Sequence, residues 1–259
     1  MSTSIDLQGR VAIVTGAGTG MGLAIAHELA RAGADIAVLE LNKDSSDAAT
    51  QALAAEHGVR TLSVPTDVAD RAAVDRSFEH VASELGRLDI AVNNAGISRV
   101  GPHTQDVTDE DWHDTINIMQ SGVFYCMRAA GRLMLPQKSG SVINISSIRG
   151  FSPNPGRLAY CAVKGALIMM TKVAAGEWAR DGVRVNAVAP GVERTPMWDA
   201  DVARGAIDEE QILGIVPAGR IGDPADVGRL VAYLCSDHAS YISGSVVTID
   251  GALTSIPAG

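Results

Sequence analysis

Tyr160 and Lys164 stand four residues apart in Tyr160-Cys161-Ala162-Val163-Lys164, inside a stretch with a helical pattern. On a helix that spacing sets a phenol and an ammonium on one face. A tyrosine ordinarily loses its proton near pH ~10, too high for a base at neutral pH. A neighbouring positive charge favours the phenolate, so the pair suits proton transfer to or from an oxygen. A second constellation opens the chain, where Thr15-Gly16-Ala17-Gly18-Thr19-Gly20-Met21-Gly22 follows an apolar run and precedes the helical Leu23–Ala30. A strand, a glycine-rich turn and a helix N-terminus offer free N–H groups and a positive dipole end to an anion. Glycines at 16, 20 and 22 let a pyrophosphate approach the backbone and let the helix pack closely on its sheet. The spacing is G-x-x-x-G-x-G, not the commoner G-x-G-x-x-G. Glu40 lies twenty residues past Gly20. There a carboxylate accepts hydrogen bonds from both hydroxyls of an adenosine ribose and repels a 2′-phosphate. No lysine or arginine occupies the glycine loop, so the pattern favours NAD over NADP.

These residues need elements to hold them. Strand-like runs fall at Val11–Thr15, Ile36–Leu41, Thr61–Val64, Asp89–Asn93, Ser141–Ser146, Val183–Ala189 and Val246–Asp250. Helix-like stretches lie between them near 21–32, 44–57, 70–85, 109–135, 158–181 and 223–235. Nearly all-apolar strands separated by helices imply a parallel sheet covered on both faces. The expectation is an α/β, three-layer Rossmann-type fold with a mostly parallel seven-stranded sheet. The pattern fills residues 1–259 without a linker or repeat, which reads as a single domain. The longest irregular segment runs from Pro190 to about Pro217, and a connection of that length suits a substrate loop or lid.

The bulk numbers exclude several classes. Hydrophobic residues make up 46% and charged residues 20% of the 259, which suits a globular chain. A net charge of −9 opposes nucleic acid and anionic membrane surfaces. No apolar run approaches the ~20 residues of a membrane span, and the N-terminus shows no secretory pattern. Cys126, Cys161 and Cys235 are widely spaced, which reads as reduced thiols in a cytoplasmic protein. The six histidines are scattered without metal-ligand spacing, so no catalytic metal is expected.

Taken together, the ordered motifs resemble the short-chain dehydrogenases/reductases of the single-domain type. The resemblance rests on the Thr15–Gly22 loop, Asp67-Val68, Asn93-Asn94-Ala95-Gly96, Ser146-Ser147, Tyr160-x-x-x-Lys164, Pro190-Gly191 with Thr195, and Ile249-Asp250-Gly251. It implies strand order 3-2-1-4-5-6-7 and hydride exchange between a nicotinamide and an alcohol or carbonyl carbon. It implies that Ser147 orients substrate, that Tyr160 carries the proton, and that Lys164 binds the nicotinamide ribose. It further implies that Asp67 and Val68 contact adenine and that Asn94, Ala95 and Gly96 line the adenosine and ribose path. Val192 and Thr195 would hold the carboxamide and pyrophosphate, and the assembly would be a homotetramer or homodimer, with the apolar tail 252–258 available to it. One departure stands out: where the family carries an asparagine, this chain has Met119, with Asn117 and Gln120 nearby but off register.

Arg99, Arg149 and Arg157 fall where this family builds its substrate pocket, which suggests a polar or anionic substrate. The Asn93–Arg99 stretch also resembles the 3-oxoacyl carrier-protein reductases. A reading from another class is a sensor or scaffold that binds NAD without turnover.

Overall fold

The structure, a computed structural model, describes residues 5–97, 101–205 and 207–255. Its strands are β1 (Val11–Thr15), β2 (Asp35–Glu40), β3 (Thr61–Pro65), β4 (Ile90–Asn93), β5 (Gly140–Ile145), β6 (Val183–Pro190) and β7 (Val246–Ile249). They form one seven-stranded sheet ordered β3-β2-β1-β4-β5-β6-β7, parallel throughout. Every residue of β1 and β4 is buried, as an all-apolar strand in a covered sheet must be.

The helices are α1 (Gly20–Arg31), α2 (Lys43–His57), α3 (Arg71–Leu85), α4 (Asp109–Ile116), α5 (Gly122–Gln137), α6 (Leu158–Trp178), α7 (Pro196–Ala203), α8 (Glu209–Ile215) and α9 (Pro224–Cys235). Ile25 and Leu29 of α1, Leu53 of α2 and Val231 of α9 build the core on one face of the sheet. Phe78 of α3, Val123 of α5 and Leu167 of α6 build the core on the other. Each fully buried aliphatic or aromatic side chain contributes about 1.5–3 kcal/mol. The strand order reverses between β1 and β4, whose C-terminal ends splay the following loops apart and open a crevice there.

Three expectations change. The helical pattern over 109–135 is α4, a π-helical turn at Asn117–Ser121, and α5. The segment 190–217 is not irregular, because it contains α7 and α8. Thr195 caps α7 by accepting from the Trp198 N–H, Pro196 occupies the first turn, and Asp208 caps α8 by accepting from the Gln211 N–H. Both helices are too short for a periodic apolar stripe to reveal them. Finally, Leu158–Asp181 is long and apolar enough to cross a membrane by composition, with a mean hydropathy of 1.4. Lys164 and Lys172 interrupt the run and conceal this in the sequence. The helix packs on the sheet, burying Val163, Leu167, Thr171, Ala174 and Ala175.

Candidate active site

The glycine turn is built by mutual exclusion of side chains. Gly16 has φ +64°, and a Cβ there would lie 2.8 Å from Ala95 Cα. A Cβ on Gly22 would lie 2.2 Å from the Gly16 carbonyl oxygen and 2.5 Å from Asn94 Nδ2. The Thr15 hydroxyl accepts from the Asn94 and Ala95 N–H groups, each at 3.0 Å. Asn94 Nδ2 in turn donates to the carbonyls of Thr15 at 3.0 Å and Gly16 at 3.1 Å. Asn94 therefore lines the crevice while its Nδ2 braces the turn.

Glu40 closes the same turn from the other side. Its carboxylate accepts from the Gly18 N–H at 3.2 Å and the Asn42 N–H at 3.3 Å. A Cβ on Gly18 would lie 2.8 Å from Glu40 Cγ and 2.9 Å from Ser45 Cβ. Gly18 thus belongs to the site, although spacing arguments on glycines 16, 20 and 22 pass over it. Asp67 is exposed at the rim, its carboxylate accepting from the Ala69 N–H at 2.8 Å, and Val68 is buried beneath it.

The groups expected to transfer the proton gather where the end of β5 meets the first turns of α6. Ser146 Oγ donates to the Lys164 carbonyl at 2.8 Å, pinning α6 to the strand end. Ser147 Oγ accepts from the Arg149 N–H at 3.1 Å and is hydrogen-bonded to Tyr160. Lys164 is buried, donates from Nζ to the Ile145 carbonyl at 2.7 Å, and lies 5.5 Å from the centre of the Tyr160 ring. Burial lowers the Lys164 ammonium to about 8. Burial also pushes the Tyr160 phenol above its ordinary value, against the Ser147 hydrogen bond and the Arg157 and Arg149 charges. The sequence-based expectation of a lowered phenol therefore does not hold for the polypeptide by itself. Desolvation outweighs the neighbouring cations.

Beneath these groups runs a buried polar chain that sequence reasoning missed. Asn93 Nδ2 donates to Asn144 Oδ1 at 2.8 Å, and Asn144 Nδ2 donates to Thr171 Oγ1 at 2.9 Å. Thr171 Oγ1 donates to the Leu167 carbonyl at 2.8 Å. Strands β4 and β5 and the helix α6 are thereby tied together, with Asn93 Oδ1 the one side-chain oxygen of this polar chain left without a partner.

A crevice of about 650 Å³ collects nearly all the expected residues. From one end, its lining includes Asp67 and Val68 after β3 and Glu40 at the end of β2, then Gly16, Thr19, Gly20, Met21 and Gly22 after β1, and Asn94, Ala95 and Gly96 after β4. Ser147, Arg149, Arg157, Tyr160 and Lys164 lie at the other end, with Pro190, Gly191, Val192 and Thr195 above. Arg99 lies outside the described residues. Thr195 Oγ1 also caps α7, accepting from the Trp198 N–H at 3.2 Å. Met119 is buried in the π-helical turn, with its Cε 3.1 Å from where a Cβ on Gly96 would stand. It supplies a thioether where the family has an amide. Asn154, Glu193, Trp198 and Asp201 also line the crevice and were not anticipated. The position of the last three inside 190–217 was their only signal.

A dinucleotide suits this lining, since Gly16, Gly20 and Gly22 border the crevice with bare backbone at the N-terminus of α1 and Glu40 stands beside them. Sheet order, glycine turn and the Ser147–Tyr160–Lys164 cluster together define a nicotinamide-dependent oxidoreductase. A family model described as enoyl-(acyl carrier protein) reductase matches residues 16–254. D-threitol dehydrogenase of Mycolicibacterium smegmatis is 36% identical over 96% of this chain and 94% of its own length. The 3-oxoacyl-[acyl-carrier-protein] reductase of Staphylococcus aureus is 39% identical over 93% of this chain and 97% of its own. NAD+-bound xylitol dehydrogenase superposes with TM-score 0.90 at 32% identity, covering 94% of this chain and 98% of that one. An NADP-bound structure from Agrobacterium tumefaciens superposes with TM-score 0.89 at 32% identity, covering 98% and 100%. The chain belongs to the short-chain dehydrogenase/reductase family, and it is an enzyme that acts on CH–OH groups with a nicotinamide cofactor.

Proposed function

We propose that this enzyme is an NAD-dependent dehydrogenase of polar secondary alcohols, with polyol- or sugar-type hydroxyls the favoured class. The observation that carries the cofactor half is Glu40. A carboxylate held at the end of β2 by two backbone N–H groups repels a 2′-phosphate and can accept from ribose hydroxyls. The substrate half rests on Arg149 and Arg157 beside Tyr160, and on relatives named for threitol and xylitol.

When bound, the nicotinamide supplies or accepts the hydride. The chain's own residues do the rest. Ser147 holds the substrate oxygen by hydrogen bonding, and Tyr160 takes its proton during oxidation or returns it during reduction. Lys164, whose buried ammonium is anchored on the Ile145 carbonyl, would hydrogen-bond the nicotinamide ribose. The apolar crevice wall of Ile118, Met119 and Ile145 would keep water from the reacting carbon.

We also place the active enzyme in a cytoplasmic homotetramer. Phe124 on α5 and Met169 and Val173 on α6 are 48%, 58% and 56% exposed, an apolar surface that a second copy would cover. The described cysteines are free thiols, as a reducing compartment permits.

A second reading, a 3-oxoacyl carrier-protein reductase, is favoured by the 39% identity to that enzyme. The deciding experiment follows reduced-cofactor absorbance with NAD+ or NADP+ across matched neutral and anionic alcohols, polyols included. Expected are turnover of polar alcohols with NAD+, loss of about 10²–10⁴-fold in Tyr160→Phe, and a loss in Arg149→Met confined to anionic substrates. Activity found only as NADPH-dependent reduction of a carrier-bound 3-oxoacyl chain refutes the proposal in favour of the second reading.

A further inference from the structure

The six histidines look scattered in sequence, yet the fold brings two of them together far from the crevice. His27 lies on α1, and Glu56 and His57 end α2. His27 Nδ1 is 3.0 Å from His57 Nε2, His27 Nδ1 is 3.4 Å from one Glu56 carboxylate oxygen, and His57 Nε2 is 3.6 Å from the other. The imidazole rings meet edge to face, with centroids 5.2 Å apart and planes at 74°.

We propose that this α1–α2 corner is a metal site for one divalent ion of zinc type, bound by His27 Nδ1, His57 Nε2 and the Glu56 carboxylate. A tetrahedral zinc holds nitrogen and oxygen ligands at about 2.0–2.2 Å, which requires ligand atoms roughly 3.3–3.5 Å from one another. The two imidazole nitrogens now share a hydrogen bond at 3.0 Å, and each has a Glu56 oxygen near the required spacing, so an ion would replace that hydrogen bond by turning the two rings and the carboxylate toward a common centre. Two imidazoles and a carboxylate match borderline first-row cations, not calcium or magnesium. Three protein ligands leave a fourth position for water.

Access and charge agree with this assignment. The His57 side chain is 7% exposed, His27 23% and Glu56 54%, so the donors are anchored on the protein side and reachable past the carboxylate. The nearest cation, Arg31, pairs with Glu28 at 3.1 Å. Because the ligands come from two helices, an ion would fasten the end of α1 to the end of α2. None of the three ligands lines the crevice, so the site is separate from the chemistry at Tyr160.

The test titrates the purified full chain with Zn2+ in competition with a chromophoric chelator, alongside His27→Asn and Glu56→Gln. Wild type is expected to take one equivalent per chain, with affinity reduced at least tenfold in each variant, and Co2+ is expected to give the intense visible bands of a tetrahedral site. Zn2+ should also raise the Tm of wild type and not of the variants, which without metal should melt near wild type and keep basal turnover. No saturable binding, or equal binding by wild type and both variants as the half-buried thiol of Cys161 would produce, overturns the proposal. If the metal-free variants fail to fold, a wild-type cobalt spectrum lacking tetrahedral bands overturns it instead.

Discussion

Glu193 enters the segment above the crevice with a side chain almost wholly inside the protein. It is 8% exposed, and its Oε2 has no hydrogen-bond partner. Burial, aided by the Asp226 and Asp223 charges and opposed by Arg220, raises its carboxyl from the ordinary 4.5 to about 7. At 1.36 kcal/mol per pH unit, that rise corresponds to roughly 3 kcal/mol of preference for the neutral acid in the folded state. The folded chain holds this proton more tightly than the unfolded one, so stability from Glu193 is complete below pH 4.5 and drains away as pH climbs to about 7. Some water around the carboxylate trims the effect to about 2 kcal/mol. Glu193→Gln keeps the shape and removes the titration. Urea unfolding of both proteins, followed by tryptophan fluorescence at pH 5, 6, 7 and 8, should show similar stability at pH 5. By pH 8 the variant should lead by about 2 kcal/mol. Carboxylates that do not touch Glu193 cancel in the difference, and the coupling to Asp223 and Asp226 is part of the effect measured. Parallel pH dependences for the two proteins would refute the assignment of a buried, protonated Glu193.

Gly22→Ala should weaken dinucleotide binding by about 10–100-fold, because its Cβ would stand 2.2 Å from the Gly16 carbonyl oxygen and force the turn open at ~1–3 kcal/mol. Gly176→Ala, whose Cβ meets nothing within 4 Å on α6, is the control and should stabilise by about 0.5–1 kcal/mol. Equal Kd values for both variants by fluorescence titration would contradict the packing argument. Glu40→Ser combined with Leu41→Arg should move preference from NAD toward NADP, read as the ratio of kcat/KM for the two cofactors. A wild type that already prefers NADP would remove Glu40 from the specificity argument.

Much of the fold was legible because its signals are local. The alternation of apolar runs and amphipathic stretches located each strand to within about a residue, and the glycine-rich turn between β1 and α1 gained its meaning from the acid that ends β2. What escaped notice depends on distant residues meeting. Nothing near Asn144 in sequence announces Thr171, nor does His27 announce His57. The π-helical turn at Asn117–Ser121 interrupts a pattern that reads as one helix, since a single wider turn barely shifts apolar periodicity. The caps of α7 and α8 were visible as Thr195-Pro196 and Asp208-Glu209, but such short helices carry no stripe. Tyr160 was found by spacing, yet its electrostatic environment reversed the expected shift because burial cannot be read from an i, i+4 pair.

The chain Asn93–Asn144–Thr171 has a consequence for how faithfully α6, the helix that carries Tyr160 and Lys164, is seated. Apolar side chains of similar volume would hold α6 to the sheet at least as firmly, but they would be indifferent to small slides along it. Hydrogen bonds are not indifferent. A helix displaced by one residue strands interior amides at about 1–3 kcal/mol each, so misaligned packings are discarded during folding. The polar interior acts as an alignment key: it spends binding strength on discrimination between nearly equivalent arrangements. A redesign that greased this interior could therefore melt at a higher temperature while positioning its tyrosine less reproducibly.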